Sequence, residues 1–177
     1  MKRYSLLLIF SIFISCGSYN SINGFYNLHK NDANVTAFRV PHFMFSLLRS
    51  SSGEMNSFMN NVSDIRFIQL SPKTDAESTT ISNQINGLVS NKFVEVFRKN
   101  EDTKRTLISV RENRDVVKEI IIYKNGKQHN SIFYFKGNFD PNRVRKYVKE
   151  NKFDNLSNTV LQQFNFKPDV STENYTK

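Results

Sequence analysis

Between residues 103 and 137, three apolar runs follow one another with almost nothing between them, and no other feature narrows the fold so far. Leu107, Ile108 and Val110 mark the first run. Val116, Val117, Ile120, Ile121, Ile122 and Tyr123 fill the second, and Ile132, Phe133, Tyr134 and Phe135 form the third. β-Branched and aromatic residues at this density suit pleated strands. The junctions Asn113-Arg114 and Asn125-Gly126 are too short for the crossover that parallel neighbours need, so the runs must pair antiparallel. Asn-Gly is also a strong hairpin signal, because both residues tolerate positive φ. The chain is therefore expected to form a three-strand meander over 103–112, 116–124 and 128–137.

Helical spacing dominates the rest. Phe25 and Leu28 suggest a short helix over 24–30, and the alternation in 33–40 suggests a first strand. Pro41 fits the first position of a helix running to Arg49, which Ser50-Ser51-Ser52-Gly53 breaks. Met55, Phe58, Met59 and Val62 place a second short helix at 54–61, and residues 64–70, bounded by Ser63 and Pro72, read as a strand. Ile81, Ile85, Leu88, Val89, Phe93 and then Val96 or Phe97 predict one long helix, in which Gly87 costs about 1 kcal/mol relative to alanine. Asp140 reads as an N-cap with Pro141 behind it, opening a helix to about residue 152 that buries Val144, Tyr147 and Val148. Phe153, Leu156, Val160, Leu161 and Phe164 extend the pattern into a second C-terminal helix. The expected fold is α+β: a two-layer sandwich with a mainly antiparallel five-stranded sheet, the three-strand meander at its C-terminal end and helices packed on it. The long helix would allow the second and third strands to be parallel, making the sheet mixed.

The start of the chain carries an address. Lys2 and Arg3 precede the apolar run 6–14, and Ser15, Cys16 and Gly17 close it with small residues. That is the order of a secretory leader, too short for a comfortable membrane span. Cys16, the single cysteine, stands where a bacterial lipoprotein is cut and acylated. An ordinary leader with a chance cysteine and an uncleaved anchor are the alternatives. Phe13 departs from the aliphatic residue more usual at its position, whereas Ile14 and Ser15 fit. The expected organisation is a leader over 1–15, a tether over 16–23, one domain over 24–166 and a disordered tail over 167–177. With Cys16 acylated, no disulfide could form, and stability would rest on a core to which the 16 phenylalanines contribute heavily.

The formal charge is +9, or +7 once Lys2 and Arg3 leave with the leader. A basic balance suits nucleic acid, an anionic membrane surface or an acidic partner, and export argues against the first. The charges are dispersed, with no run of five of one sign, as on a solvated surface.

Catalytic patterns are missing from the sequence. His29, His42 and His129 fall in three separate segments without the spacing of a zinc site, so no metal ligand is expected. The six glycines are isolated and build no phosphate cradle, and no nucleophile elbow occurs. Glu95, Glu101, Asp102, Glu112, Asp115 and Glu119 read as solvated partners of nearby Lys and Arg. No catalytic residue and no cofactor are expected. Tyr123, Tyr134 and Lys136 superficially suit base stacking, but alternation sends Phe133 and Phe135 into the core, and no nucleic-acid partner is expected. On the helix after Pro141, Arg143, Arg145, Lys146 and Lys149 offer a candidate strip for anions or lipid headgroups, a merely solvated face being the alternative.

Several stretches carry a family resemblance: FYNLHKNDANVTAFRVPHFMFSLL, DIRFIQL, NKFVEVFRKNED, TLISVRENRDVVKEIIIYKNG and SIFYFKGNFD. In these the chain resembles domain-of-unknown-function family 4252, small exported and lipoprotein-type proteins typical of Bacteroidota. The resemblance spans about residues 25–149, omits the 153–166 segment, and implies an envelope location without any catalytic residue to carry over. The expected function is that of a lipid-anchored, periplasm-facing binding module, attached to the membrane through Cys16 and contacting an unidentified envelope protein or component. An envelope-stress signalling lipoprotein and an enzyme or enzyme accessory acting on envelope material are the rivals. A pocket with convergent polar groups and shifted pKa values would favour the enzyme.

Overall fold

The computed structural model describes residues 21–90, 92–101, 104–126 and 128–166. The expected leader 1–15, the expected lipidation site Cys16 and the tail 167–177 lie outside the described residues.

Among the described residues the elements run α1 (Ile22–His29), β1 (Val35–Arg39), α2 (Met44–Ser51), α3 (Gly53–Met59), β2 (Val62–Leu70), α4 (Asp75–Ser90), β3 (Val94–Glu101), β4 (Lys104–Asn113), β5 (Val116–Asn125), β6 (Asn130–Phe139), α5 (Pro141–Lys149) and α6 (Lys152–Gln163). Local chemistry sets several boundaries. The Ser21 side chain accepts from the Gly24 amide at the start of α1, and Ser52 does the same for Met55 in α3. Asp140 caps α5 through the Arg143 amide, with Pro141 behind it as the sequence suggests. Asn151 takes φ 52 between α5 and α6, a left-handed position that asparagine tolerates better than most residues.

The strands form one open sheet in the order β1-β2-β6-β5-β4-β3, and every pairing is antiparallel. Strands β3 to β6 are chained by hairpins, and β2 inserts beside β6. The sheet is therefore neither mixed nor five-stranded. The additional strand is β3, which occupies what the helical stripe claimed for the end of the long helix. Phe93, Val96 and Phe97 do keep helical spacing with Ile85, Leu88 and Val89, but α4 stops at Ser90. Val94 to Glu101 then pairs along β4.

Both faces of the sheet are covered, so the layering is three deep rather than two. One face gathers Ile65, Phe67, Ile108, Val110, Ile120, Ile122, Phe133 and Phe135 against α2, α3, α5 and α6. The intervening positions, Ile68, Leu70, Leu107, Ile121, Tyr123, Ile132 and Tyr134, face α1 and α4 through Ile22, Phe25, Ile85 and Leu88. Strands buried on both faces need apolar residues at successive positions, which explains the unbroken runs Ile120-Ile121-Ile122 and Ile132-Phe133-Tyr134-Phe135. Phe58 of α3 sits among Phe135, Phe139, Tyr147 and Phe153, with ring centroids 5.1–6.0 Å apart.

The hairpins differ from expectation in detail. Asn113 pairs with Val116 across the two residues Arg114 and Asp115, and Arg114 takes φ 55. At the Asn-Gly site, Asn125 pairs with Asn130, and Gly126 donates to the His129 carbonyl at 2.9 Å with no positive φ. The loop there spans residues 126–129 and does not use glycine's left-handed freedom. At the other end of the chain, α1 begins at Ile22, so the last residues of the stretch read as tether belong to a capped helix.

Candidate functional site

On the face carrying α1 and α4, the strands change character along their length. β2 presents Ile68 and Leu70 toward one end but Asp64 and Arg66 toward the other. β6 passes from Ile132 through Tyr134 to Lys136, β5 from Tyr123 through Ile121 to Glu119, and β4 from Leu107 through Ser109 to Arg111. The helices cover the apolar end. Over the charged end a cleft of about 330 Å³ opens, lined by these charged residues and Tyr134, by Arg39 of β1, by Lys92 and Phe93, and by Ser21, Ile22 and Asn23 at the start of α1.

Pairing register places these charges in rows. Asp64 lies opposite Lys136, Lys136 opposite Glu119, and Glu119 opposite Arg111, so signs alternate across four strands. Immediately beyond this row the ladders lose register three times, at Val62/Asp64, Val117/Glu119 and Arg111/Glu112. Such irregularities twist a sheet and re-aim side chains, and they recur beside functional sites.

Arg39 and Arg66 stand directly opposite each other in the next row, an arrangement that by itself is unfavourable. Asp64 resolves it. Its Oδ1 accepts from Arg39 Nε at 2.6 Å, and its Oδ2 accepts from Arg66 Nε at 2.8 Å and lies 2.7 Å from an Arg66 terminal nitrogen. The Asp64 and Arg66 side chains are 6% and 12% exposed, whereas that of Arg39 is 56% exposed. The buried guanidinium is further held over the rings of Tyr26 and Tyr134, at 5.5 and 5.9 Å from their centroids. Across the cleft Arg111 bonds Glu119. Burial pushes the Tyr134 phenol well above its ordinary value, and the nearby carboxylates of Glu119 and Asp64 add to the shift. Burial raises Tyr26 as well, against the opposing pull of Arg66 and Arg39.

Chemically this arrangement holds anions. Its cations are Arg39, Arg66, Lys92, Arg111 and Lys136, against the carboxylates Asp64 and Glu119. Both carboxylates already accept from guanidinium groups, while Lys92 and Lys136 have exposed side chains without a partner among the described residues. Sequence reading missed the cleft, because its charges come from β1, β2, β4, β5, β6 and the turn before β3. The available signal was positional: Asp64, Arg66, Glu119 and Lys136 lie within or directly beside the apolar runs of β2, β5 and β6.

The residues singled out on α5 are split between two environments. Arg143 turns back to α3 and donates to the Ser57 carbonyl at 3.0 Å and to its Oγ at 2.8 Å. Arg145 donates to Asn142 Oδ1 at 3.1 Å, and with Lys149 it borders a groove of about 190 Å³ floored by Val96, Val110, Val117, Val144 and Val148. Lys146 is exposed. The histidines also lie apart: His29 contacts Asp32 and Gln84, His129 contacts Ser71, and His42 lies against Phe45. Among the described residues no cluster of three or more His, Cys, Asp or Glu could hold a metal ion, and no helix is long and apolar enough to cross a membrane.

Fold and site together define an α+β protein with an open, six-stranded antiparallel sheet, covered by helices on both faces except over a cation-rich cleft. The chain belongs to the family described as Domain of unknown function (DUF4252), which matches residues 26–147. The match runs from α1 to α5 and takes in all six strands and the seven charged residues of the cleft. No curated protein and no solved structure matches the chain.

Proposed function

We propose that the protein is a lipid-anchored, non-catalytic binding module of the bacterial cell envelope, facing the periplasm, which takes an anionic group of an envelope component into the cleft. The observation that carries this reading is the cleft's charge, five cations against two carboxylates gathered over one end of the sheet. The cleft does bring together the convergent polar groups and shifted phenols that an enzyme would need, but binding is the better use of them. Each carboxylate is engaged by arginine, and the Tyr134 phenol is held in its neutral form, which leaves no ready proton acceptor. The anchoring part rests on Lys2, Arg3, the apolar run and Cys16, and on the resemblance to small exported, lipoprotein-type proteins of Bacteroidota.

Two measurements test the proposal. Cells fed a fatty-acid analogue should label the wild-type protein and spare Cys16→Ala; equal labelling of both sinks the anchor. Mild cross-linking in cells should capture an envelope component with the wild type and lose it with the pair Arg39→Glu and Lys136→Glu. A component captured equally by both would place the interaction elsewhere.

A further inference from the structure

The charge surplus, the directions from which it arrives and the place where the cleft opens narrow the ligand further. We propose that the cleft is a receptor for a phosphate group carrying two negative charges, on a lipid headgroup or on a soluble phosphate. This deepens the anion-binding reading above and rests on it.

The argument begins with what the protein's own carboxylates leave over. Asp64 neutralises one of the two arginines that it binds, and Glu119 neutralises Arg111. One guanidinium charge and the ammonium groups of Lys92 and Lys136 remain. A single carboxylate would leave most of that excess unmet, whereas a phosphate monoester carries about two negative charges near neutral pH and three strong acceptor oxygens. Donor direction favours the same choice. Arg39 reaches in from β1, Arg66 from β2, Lys136 from β6, Arg111 from β4 and Lys92 from the turn before β3. Donors set around a cleft suit a tetrahedral acceptor better than a planar one.

The guanidinium groups are also held in place for this task. Asp64 takes Arg39 through Nε, so the two terminal nitrogens of Arg39 carry no partner among the described residues and remain for a ligand. Arg66 is fixed by Asp64 and by two aromatic rings before any ligand arrives, which lowers the ordering cost of binding. The first turn of α1, the positive end of that helix, lines the same cleft through Ile22 and Asn23 and adds to the favourable potential.

Position supplies a source. Ser21 lines the cleft, and Cys16 lies five residues before it. Even a fully extended five-residue segment reaches only about 18 Å. An acyl anchor on Cys16 would therefore keep the mouth of the cleft close to the headgroup layer, where lipids that end in a phosphate monoester present the doubly charged group, unlike the singly charged diesters around them.

The test uses the full-length protein purified in maltoside micelles, with thermal unfolding followed by circular dichroism. A ligand that binds only the folded state raises the midpoint in proportion to its occupancy. Inorganic phosphate and succinate are added separately, and in other samples the micelles are doped with phosphatidate or with phosphatidylcholine. A rise with phosphatidate but not phosphatidylcholine supports the inference and assigns the headgroup. A rise with inorganic phosphate alone supports it and assigns a soluble source. Succinate matching or exceeding every phosphate probe overturns the phosphate assignment and leaves anion binding standing. No rise with any anion overturns both. Lys92→Gln and Lys136→Gln each remove one ammonium group from the cleft and should weaken phosphate binding by about tenfold or more, read as the ligand-induced rise above each variant's own unliganded midpoint. Undiminished binding in both variants would move the site elsewhere and overturn the assignment.

Discussion

Gly137 offers a demanding test of the sheet geometry that shapes the cleft. It lies on β6 beside Lys136, where β2 enters the sheet through an irregular step between Val62 and Asp64. A Cβ added there would stand 1.9 Å from the Asn61 carbonyl oxygen, and 2.9 Å from both its carbonyl carbon and the Phe139 ring. The closest of these atoms belongs to the backbone and cannot swing aside. The same oxygen accepts the Asn138 amide at 2.9 Å, so relieving the clash also gives up a hydrogen bond. The lost bond is worth about 1 kcal/mol and the overpacking about 1–3 kcal/mol, giving an expected loss of about 2–4 kcal/mol for Gly137→Ala. Gly87 is the internal control. It sits exposed in the last turn of α4, and a Cβ there meets nothing within 4 Å. Gly87→Ala should therefore stabilise the protein by about 0.5–1 kcal/mol through helix propensity. Urea unfolding monitored by far-ultraviolet circular dichroism measures both, since midpoint and slope give each free energy. A loss below about 1 kcal/mol at Gly137, or a change of the same sign at both glycines, would refute the close approach of Asn61 to β6.

Three further outcomes are expected. Asp64→Asn leaves Arg66, a largely buried cation, without its counter-charge, and should cost about 2–3 kcal/mol; adding Arg66→Met should recover most of it, and failure to recover would show that Asp64 does not act through Arg66. Because the Tyr134 phenol is harder to ionise in the folded chain, its contribution is intact below the ordinary tyrosine value near about 10 and declines as pH rises above it, where the unfolded chain gives up a proton that the folded chain keeps. Tyr134→Phe should flatten that alkaline decline, and parallel pH–stability curves for the two proteins would contradict the burial argument. Arg114→Gly removes a side chain from a left-handed position in the β4–β5 turn and should raise the urea midpoint by the equivalent of about 0.5–1 kcal/mol; an unchanged or lower midpoint would mean that Arg114 is not strained there.

Much of the fold was legible because its elements are locally encoded. The meander announced itself through residue type and short junctions, β2 through its apolar content and Pro72, although Ser63, read as its boundary, lies inside the strand, and α5 through Asp140 and Pro141. The misreading of β3 has a plain physical cause: apolar spacing does not say in which element a side chain sits, nor even that it is buried, since Val96 is 39% exposed. Phe93, Val96 and Phe97 happened to prolong the stripe of α4, although Val94, Val96 and the charged residues that follow form an edge strand whose outward positions need no apolar partner. The second core stayed hidden because an apolar run fits a strand buried on both faces and a buried helix alike. The cleft was hidden most deeply. Asp64, Lys136, Glu119 and Arg111 become neighbours only through pairing register, and Asp64 and Lys136 are separated along the chain by the whole of α4, β3, β4 and β5.

The seam between β2 and β6 has a consequence for how this chain reaches its native state. Val62 meets Gly137 and Leu70 meets Asn130, sequence separations of 75 and 60 residues, whereas the pairings β1–β2, β3–β4, β4–β5 and β5–β6 close over much shorter distances. Two locally wired halves must therefore find each other, and that meeting carries the largest loop-closure cost of any strand pairing in the sheet. Until it happens, Ile65, Phe67 and Ile68 have no neighbour on one edge, and neither core is complete. A chain that ends before Asn130 has no β6 at all and is left with an open, sticky β2 edge rather than a smaller stable protein. Folding of this protein is, in effect, decided by its sixth strand.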